Sequence, residues 1–214
     1  MPGDAGRELA MFPLATVLFP GGVLPLHVFE PRYRAMIADC LKGDRTFGVV
    51  LIARGSEVGG GDQRYGVGTE ARVERAASLP DGRWAVIATG TERIEVDEWL
   101  PEDPYPKARV RRLPDATPSS QAATERATAA VRRVLGLLSE LGQAVGDAPL
   151  GTDVDRLDAP ALAWRLCDAA PLGAIDRQRL LERAGAPSRL EALIGLMAEM
   201  GDDLRRMLAE GGSP

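Results

Sequence analysis

A single histidine, His27, and two lysines, Lys42 and Lys107, bound the chemistry open to this chain. A serine–histidine–carboxylate triad has only His27 to serve as base. That residue sits in an apolar, proline-rich run, where a satisfied and partly buried imidazole is expected. Neither lysine follows a glycine, so no GxxxxGK phosphate loop exists, and no GxSxG is present. Cys40 and Cys167 lie far apart, with no CxxC and no Cys/His cluster, so neither a zinc site nor any other metal or cofactor is expected. The 31 acidic residues could supply a two-carboxylate hydrolase by type, but no spacing marks a pair. The residues therefore offer no catalytic set, and a non-enzyme is expected.

Charge narrows the partners. The formal net charge is −5 over 214 residues, and neither half of the chain is basic. Phosphate backbones reward cationic faces through counterion release, so nucleic acid is not an expected partner. The one basic run, KARVRR at 107–112, alternates as a strand with a wet, charged face would. Residues 11–29, MFPLATVLFPGGVLPLHVF, carry no Asp, Glu, Lys or Arg and so raise the question of a membrane span. Pro13, Pro20, Pro25 and the Gly21–Gly22 pair break any continuous helix there, and freed carbonyls have no partner in lipid. A signal peptide is disfavoured by the charged start, MPGDAGREL. The run instead reads as buried strands near 10–14 and 23–28, joined by a turn at Pro20–Gly22. No membrane role is expected, and two lone cysteines suit a reducing, cytoplasmic setting.

The elements that must position these residues follow from periodicity. Pro31 opens a helix whose Tyr33, Met36, Ile37, Cys40 and Leu41 share one face, and Gly43 ends it. That face makes Cys40 a core residue. TFGVVLIA at 46–53 suits a central strand, 54–66 a glycine-rich loop, and strands are expected at 68–77, 84–90, 93–99 and 107–113. LPDGR at 79–83 has hairpin-turn chemistry. The pattern then turns helical: Val131, Val134, Leu135, Leu138 and Leu141 line one helix, and Asp158 caps a second. A third is expected near 176–184, and Ser188 with Glu191 has capping-box spacing for a fourth. Its Leu190, Leu193, Met197, Met200, Leu204 and Met207 step by three and four, and the final GGSP reads as disordered. The fold class expected is α+β: a mostly antiparallel sheet curled into a barrel or sandwich over 8–114, a linker over 115–124, and a helical subdomain over 125–210.

FPLATVLFPGGVLPLHVFEPRYRAMI and YGVGTEARVERAASLPDGRWAVIATGTERIEV resemble the N-terminal substrate-binding domain of Lon ATP-dependent proteases. The likeness is closest to short, stand-alone bacterial proteins of that family. LAWRLCDAAPLGAIDRQRLLERAGAPSRLEALIGLMAEM resembles the helices that follow the barrel in Lon, so the likeness runs over roughly residues 9–208. The resemblance implies a PUA-like barrel, a C-terminal α-helical bundle and recognition of unfolded or partly folded polypeptide. Lon's ATPase needs a phosphate loop and its protease a Ser–Lys dyad, and neither is recognisable here. Cereblon and some RING ubiquitin ligases carry a similar domain, but no RING cysteine spacing occurs.

The binding residues expected from this are Phe29, Arg32 and Tyr33 of the family-like HVFEPRYR stretch, with Met197 and Met200 as adaptable apolar contacts. The competing reading has Phe29 and Tyr33 packing the helix on the barrel, and Arg32 pairing with Glu30 or Glu70. Besides an unrecognised hydrolase, the least expected, two other functions stand beside polypeptide binding. One is an adaptor or regulator that docks on an ATP-dependent protease, or on its own twin as a homodimer, through the 190–207 seam. The other is nucleic-acid binding by analogy with PUA-like domains.

Overall fold

Burial on both faces of one strand organises the first part of the chain. In β1 (Arg7–Leu14) the run Met11–Leu14 is buried residue after residue. Phe12 and Leu14 join one apolar cluster, while Leu9 and Met11 join another with Val50, Ile94, Ala108 and Val110. A strand covered on both sides reads as a continuous apolar run, and that explains the missing charges of 11–14. The computed structural model describes residues 6–54, 63–117, 119–143, 150 and 157–210. The chain divides into two units, Met1–Pro114 and Asp115–Pro214.

The first unit continues with β2 (Val23–Val28), α1 (Pro31–Lys42), β3 (Thr46–Arg54), β4 (Gln63–Ser78), β5 (Trp84–Leu100) and β6 (Lys107–Arg112). These strands form one six-stranded sheet in the order β2-β5-β4-β3-β1-β6. Only β1–β3 is parallel; the other pairings are antiparallel. The sheet is thus mixed rather than wholly antiparallel. The second half of β5 also pairs with β6, so the sheet turns back on itself there. α1 lays Tyr33, Met36, Ile37 and Cys40 into the larger apolar cluster. Each such side chain contributes roughly 1.5–3 kcal/mol of transfer free energy, which fixes the helix on the sheet.

Two expectations change here. The stretches at 84–90 and 93–99 are one strand, because Gly90 lets the chain bend under a close neighbour without breaking the ladder. A Cβ at Gly90 would collide with the Phe19 carbonyl oxygen, and the β4–β5 register shifts beside it, between Glu70 and Ala71. β4 begins at Gln63, inside the stretch expected as loop; residues 55–62 of that loop lie outside the described residues.

The second unit holds α2 (Gln121–Glu140), α3 (Ala159–Ala169), α4 (Ala174–Glu182) and α5 (Ala186–Ala209). Ser120 caps α2 by accepting from the Ala123 amide, and Asp158 caps α3 through the Ala161 amide. The expected capping box of α5 does not form. The helix starts two residues before Ser188, whose hydroxyl donates to the Gly185 carbonyl, while Glu191 pairs with Arg126. Residues 115–117, within the stretch read as linker, are bonded into this unit. Ala116 N–H donates to the Ala184 carbonyl and Ala186 N–H to the Thr117 carbonyl. The final GGSP lies outside the described residues.

Candidate functional site

The turn before β2 sets the geometry of an open sheet edge. Gly22 N–H donates to the Phe19 carbonyl across Pro20 and Gly21, and Gly21 has φ +78°. Proline followed by a glycine at positive φ is what a type II turn requires. Gly21 N–H then donates to the Gly90 carbonyl, and Gly90 N–H donates to the Gly22 carbonyl. This is a glycine bulge that feeds the chain into β2. Pairing runs on from there, with Leu24 opposite Ala88, Leu26 opposite Val86 and Val28 opposite Trp84. In an antiparallel pair every second residue bonds its partner. Counting from Gly22, the residues bonded to β5 are Leu24, Leu26 and Val28. The backbone groups of Val23, Pro25 and His27 turn the other way, where no strand follows among the described residues. Pro25 therefore lacks an N–H only on the side that no neighbouring strand uses, as edge prolines do.

Side chains follow the same alternation. Leu24 and Val28 are buried; Val23, Pro25 and His27 face solvent. Val23 is 64% exposed, and across the pair Ile87 is 38% exposed. Phe29, just past the end of β2, is 56% exposed. Recesses flank the edge. One of about 260 Å³ is lined by Pro25, His27, Ala77, Ala85 and Ile87 on the outer face. Another of about 200 Å³ is lined by Phe12, Leu14, Leu26, Phe29 and Tyr33, toward the core. Isolated exposed apolar residues are ordinary, but several large ones grouped on one edge mark an interaction surface.

The predicted residues divide. Tyr33 is 3% exposed and stacks on Phe12, ring centroids 4.2 Å apart. Arg32 lies 4.5 Å from the Tyr33 ring centroid, donates to Glu30 at 3.2 Å, one of the two expected partners, and forms an ion pair with Glu102 at 3.6 Å. Glu102 also takes Arg64 at 2.5 Å, and Arg64 lies over Trp99. Glu70 instead takes Arg7. Phe29, Arg32 and Tyr33 thus come together, with Phe29 the outward member. Met197 and Met200 belong to the second unit, and there Met197 is 2% exposed and Met200 half-buried. Leu190, Leu193 and Leu204 of the same seam are buried within that unit and Met207 is exposed, so most of the seam is core and docking through it loses its main support. Sequence reading passed over Val23, Pro25 and Ile87. An uncharged alternating strand with a central proline was the available signal. His27, expected partly buried, is exposed, because its parity in β2 is that of Val23.

Elsewhere the chemistry is quiet. Burial pushes the Cys40 thiol up to about 11 and the Cys167 thiol to about 12, so neither is a thiolate near neutrality. Among the described residues no His/Cys/Asp/Glu cluster could hold a metal, and no helix is long and apolar enough to cross a membrane. A recess of about 520 Å³ between α2 and α3 contains Thr124 and Thr128. Their hydroxyls already donate to the Ser120 and Thr124 carbonyls. The arginines of KARVRR meet carboxylates across the β5–β6 ladder: Arg109 with Glu98, Arg111 with Glu95 and Asp97, Arg112 with Glu92.

Residues 8–199 match the family described as the ATP-dependent protease La (LON) substrate-binding domain. The chain belongs to this family. Lon protease 2 of Herpetosiphon aurantiacus is 33% identical over 201 residues, 92% of this chain and 24% of that protein. Lon protease 2 of Myxococcus xanthus is 29% identical over 91% of this chain and 24% of its own. The chain therefore spans about a quarter of the length of these Lon relatives, and the match is to the substrate-binding domain, not to a protease domain. The crystal structure of a Lon N-terminal domain protein from Xanthomonas campestris aligns with TM-score 0.64 and 29% identity, over 88% of this chain and 98% of that one. The N-terminal domain of Mycobacterium avium complex Lon protease shares the fold, with TM-score 0.63, over 90% of this chain and 99% of that one.

Proposed function

We propose that the chain is a non-catalytic module that holds exposed apolar segments of unfolded or partly folded polypeptides, at the β2 edge, without an ATPase or protease centre of its own. The observation that carries this is the grouping of solvent-facing Pro25, Ile87 and Phe29 around two recesses, with exposed Val23 on the same strand, in a Lon substrate-binding domain. Phe29 is the principal contact. Tyr33 and Arg32 hold the start of α1 beneath it. The finer reading of the fold is a PUA-like β-barrel over 8–114, a linker over 115–124 and a C-terminal helical bundle over 125–210. The setting is the bacterial cytoplasm, in keeping with two buried, unpaired thiols. Handing captured segments to an ATP-dependent protease fits the same surface. Nucleic-acid binding is not favoured, since the basic strand is neutralised by its neighbour.

Fluorescence titration with a permanently unfolded polypeptide tests the reading. Saturable binding is expected at micromolar to tens-of-micromolar concentration, with none for the same polypeptide when folded. Phe29→Ala should weaken binding about tenfold, the scale of one aromatic anchor. Absence of saturation up to hundreds of micromolar would sink it.

A further inference from the structure

The edge of β2 offers a backbone as well as side chains. Toward its open side Val23 and His27 each present an N–H and a C=O, and Pro25 presents a C=O. Such a row is a template for another strand. Resting on the polypeptide-binding reading above, we infer that the captured segment adds to the sheet as a further strand beside β2, hydrogen-bonded to Val23, Pro25 and His27.

Pro25 selects the occupant. In any antiparallel pairing of β2 with β2 of a second copy that includes Pro25, both prolines miss a donor and two bonds are lost. A foreign strand lying on the same residues loses one. The edge therefore discriminates against its own twin and in favour of another chain.

The flanking surfaces select the sequence. Side chains of an added strand alternate between the sheet's two faces. One set meets Pro25, His27, Ala77 and Ile87; the other meets Phe12, Leu14, Phe29 and Tyr33. Arg75 on the first side and Glu30 on the second are the charged members; the rest of both linings is mainly apolar, and β2 itself, VLPLHV, has no charged residue. The matching ligand is an extended segment of about six consecutive apolar residues, rather than one alternating with polar residues. Strands covered on both faces in a folded protein have that composition, and unfolding exposes them.

A ten-residue peptide with six central Val, Leu and Ile residues between polar ends is the probe, added to the full chain. Amide hydrogen exchange at Val23 and His27 should slow at least tenfold on saturation. A version N-methylated at its six central residues should bind at least tenfold more weakly, and so should a version alternating with Ser. His27→Pro removes an outward donor while β2 keeps its bonds to β5 through Leu24, Leu26 and Val28. It should weaken the peptide about tenfold, and at least threefold more than His27→Ala, which loses the same imidazole but keeps the N–H. If His27→Pro does not fold, exchange at Val23 and His27 in the unaltered protein decides. Binding with unchanged exchange at those amides and equal affinity for the N-methylated peptide would overturn strand addition and leave polypeptide binding standing. Failure of every peptide and of the unfolded polypeptide would remove both.

Discussion

Arg189 has no exposed surface, yet every part of its guanidinium is engaged. It lies 3.3 Å from the Trp164 ring centroid, bonds Asp115 through two nitrogens at 2.9 and 2.6 Å, and donates Nε to the Leu180 carbonyl. A buried cation is tolerated only with such pairing, and removing one partner strands the other. Asp115→Ala should therefore cost roughly 3–5 kcal/mol in urea unfolding, the usual scale for a broken buried pair. Phe29 is the opposite case. More than half exposed, it should give up binding on replacement by Ala but change stability by less than about 0.5 kcal/mol. The thiols of Cys40 and Cys167 should resist a thiol reagent at pH 8 in the native protein, and both should react in denaturant.

At the scale of elements, the approach to β2 rests on glycine. Gly21 has φ +78°, a conformation that disfavours a Cβ, so Gly21→Ala should cost about 1–2 kcal/mol of stability and loosen the edge. Pro25→Val restores the outward donor. Light scattering should then show concentration-dependent self-association absent from the unaltered chain, because the edge can pair fully with its own copy. These elements were partly legible. The charge-free run marked the strands, and Pro20–Gly22 marked the turn. The parity that turns His27 outward was not legible, since it depends on which residue of β5 lies opposite Gly22. Nor was the continuity of β5 through Gly90, which follows from the Phe19 carbonyl packed against it.

For the whole molecule, two consequences can be measured. Cys40, Cys167 and Tyr105 are held above their ordinary values of 9.0, 9.0 and 10.0, at about 11, 12 and 12, in each case chiefly by burial. Below about pH 9 both folded and unfolded chains keep these protons. Above it the unfolded chain loses them first, so stability must fall. The urea midpoint should drop steadily from pH 9 to 11. The second concerns where the helical unit begins. A fragment starting at Asp115 keeps the Arg189 pair and the two backbone bonds of residues 116 and 117. One starting at Ser119 loses all of them and should unfold at clearly lower urea.

The stretches FPLATVLFPGGVLPLHVFEPRYRAMI and YGVGTEARVERAASLPDGRWAVIATGTERIEV carried the likeness to a Lon substrate-binding domain, while local periodicity and composition determined the helices, most strands, burial of Cys40 and the α+β class. These are written in side-chain spacing along one stretch of chain. The tertiary structure decided which of the singled-out residues a partner can reach. It left Phe29 outward while Tyr33 went under Phe12, made Met197 core, and gave β2 an open side. Exposure and edge position depend on which distant strand or helix arrives next to a residue, and the first listing of neighbours along the chain does not carry that information.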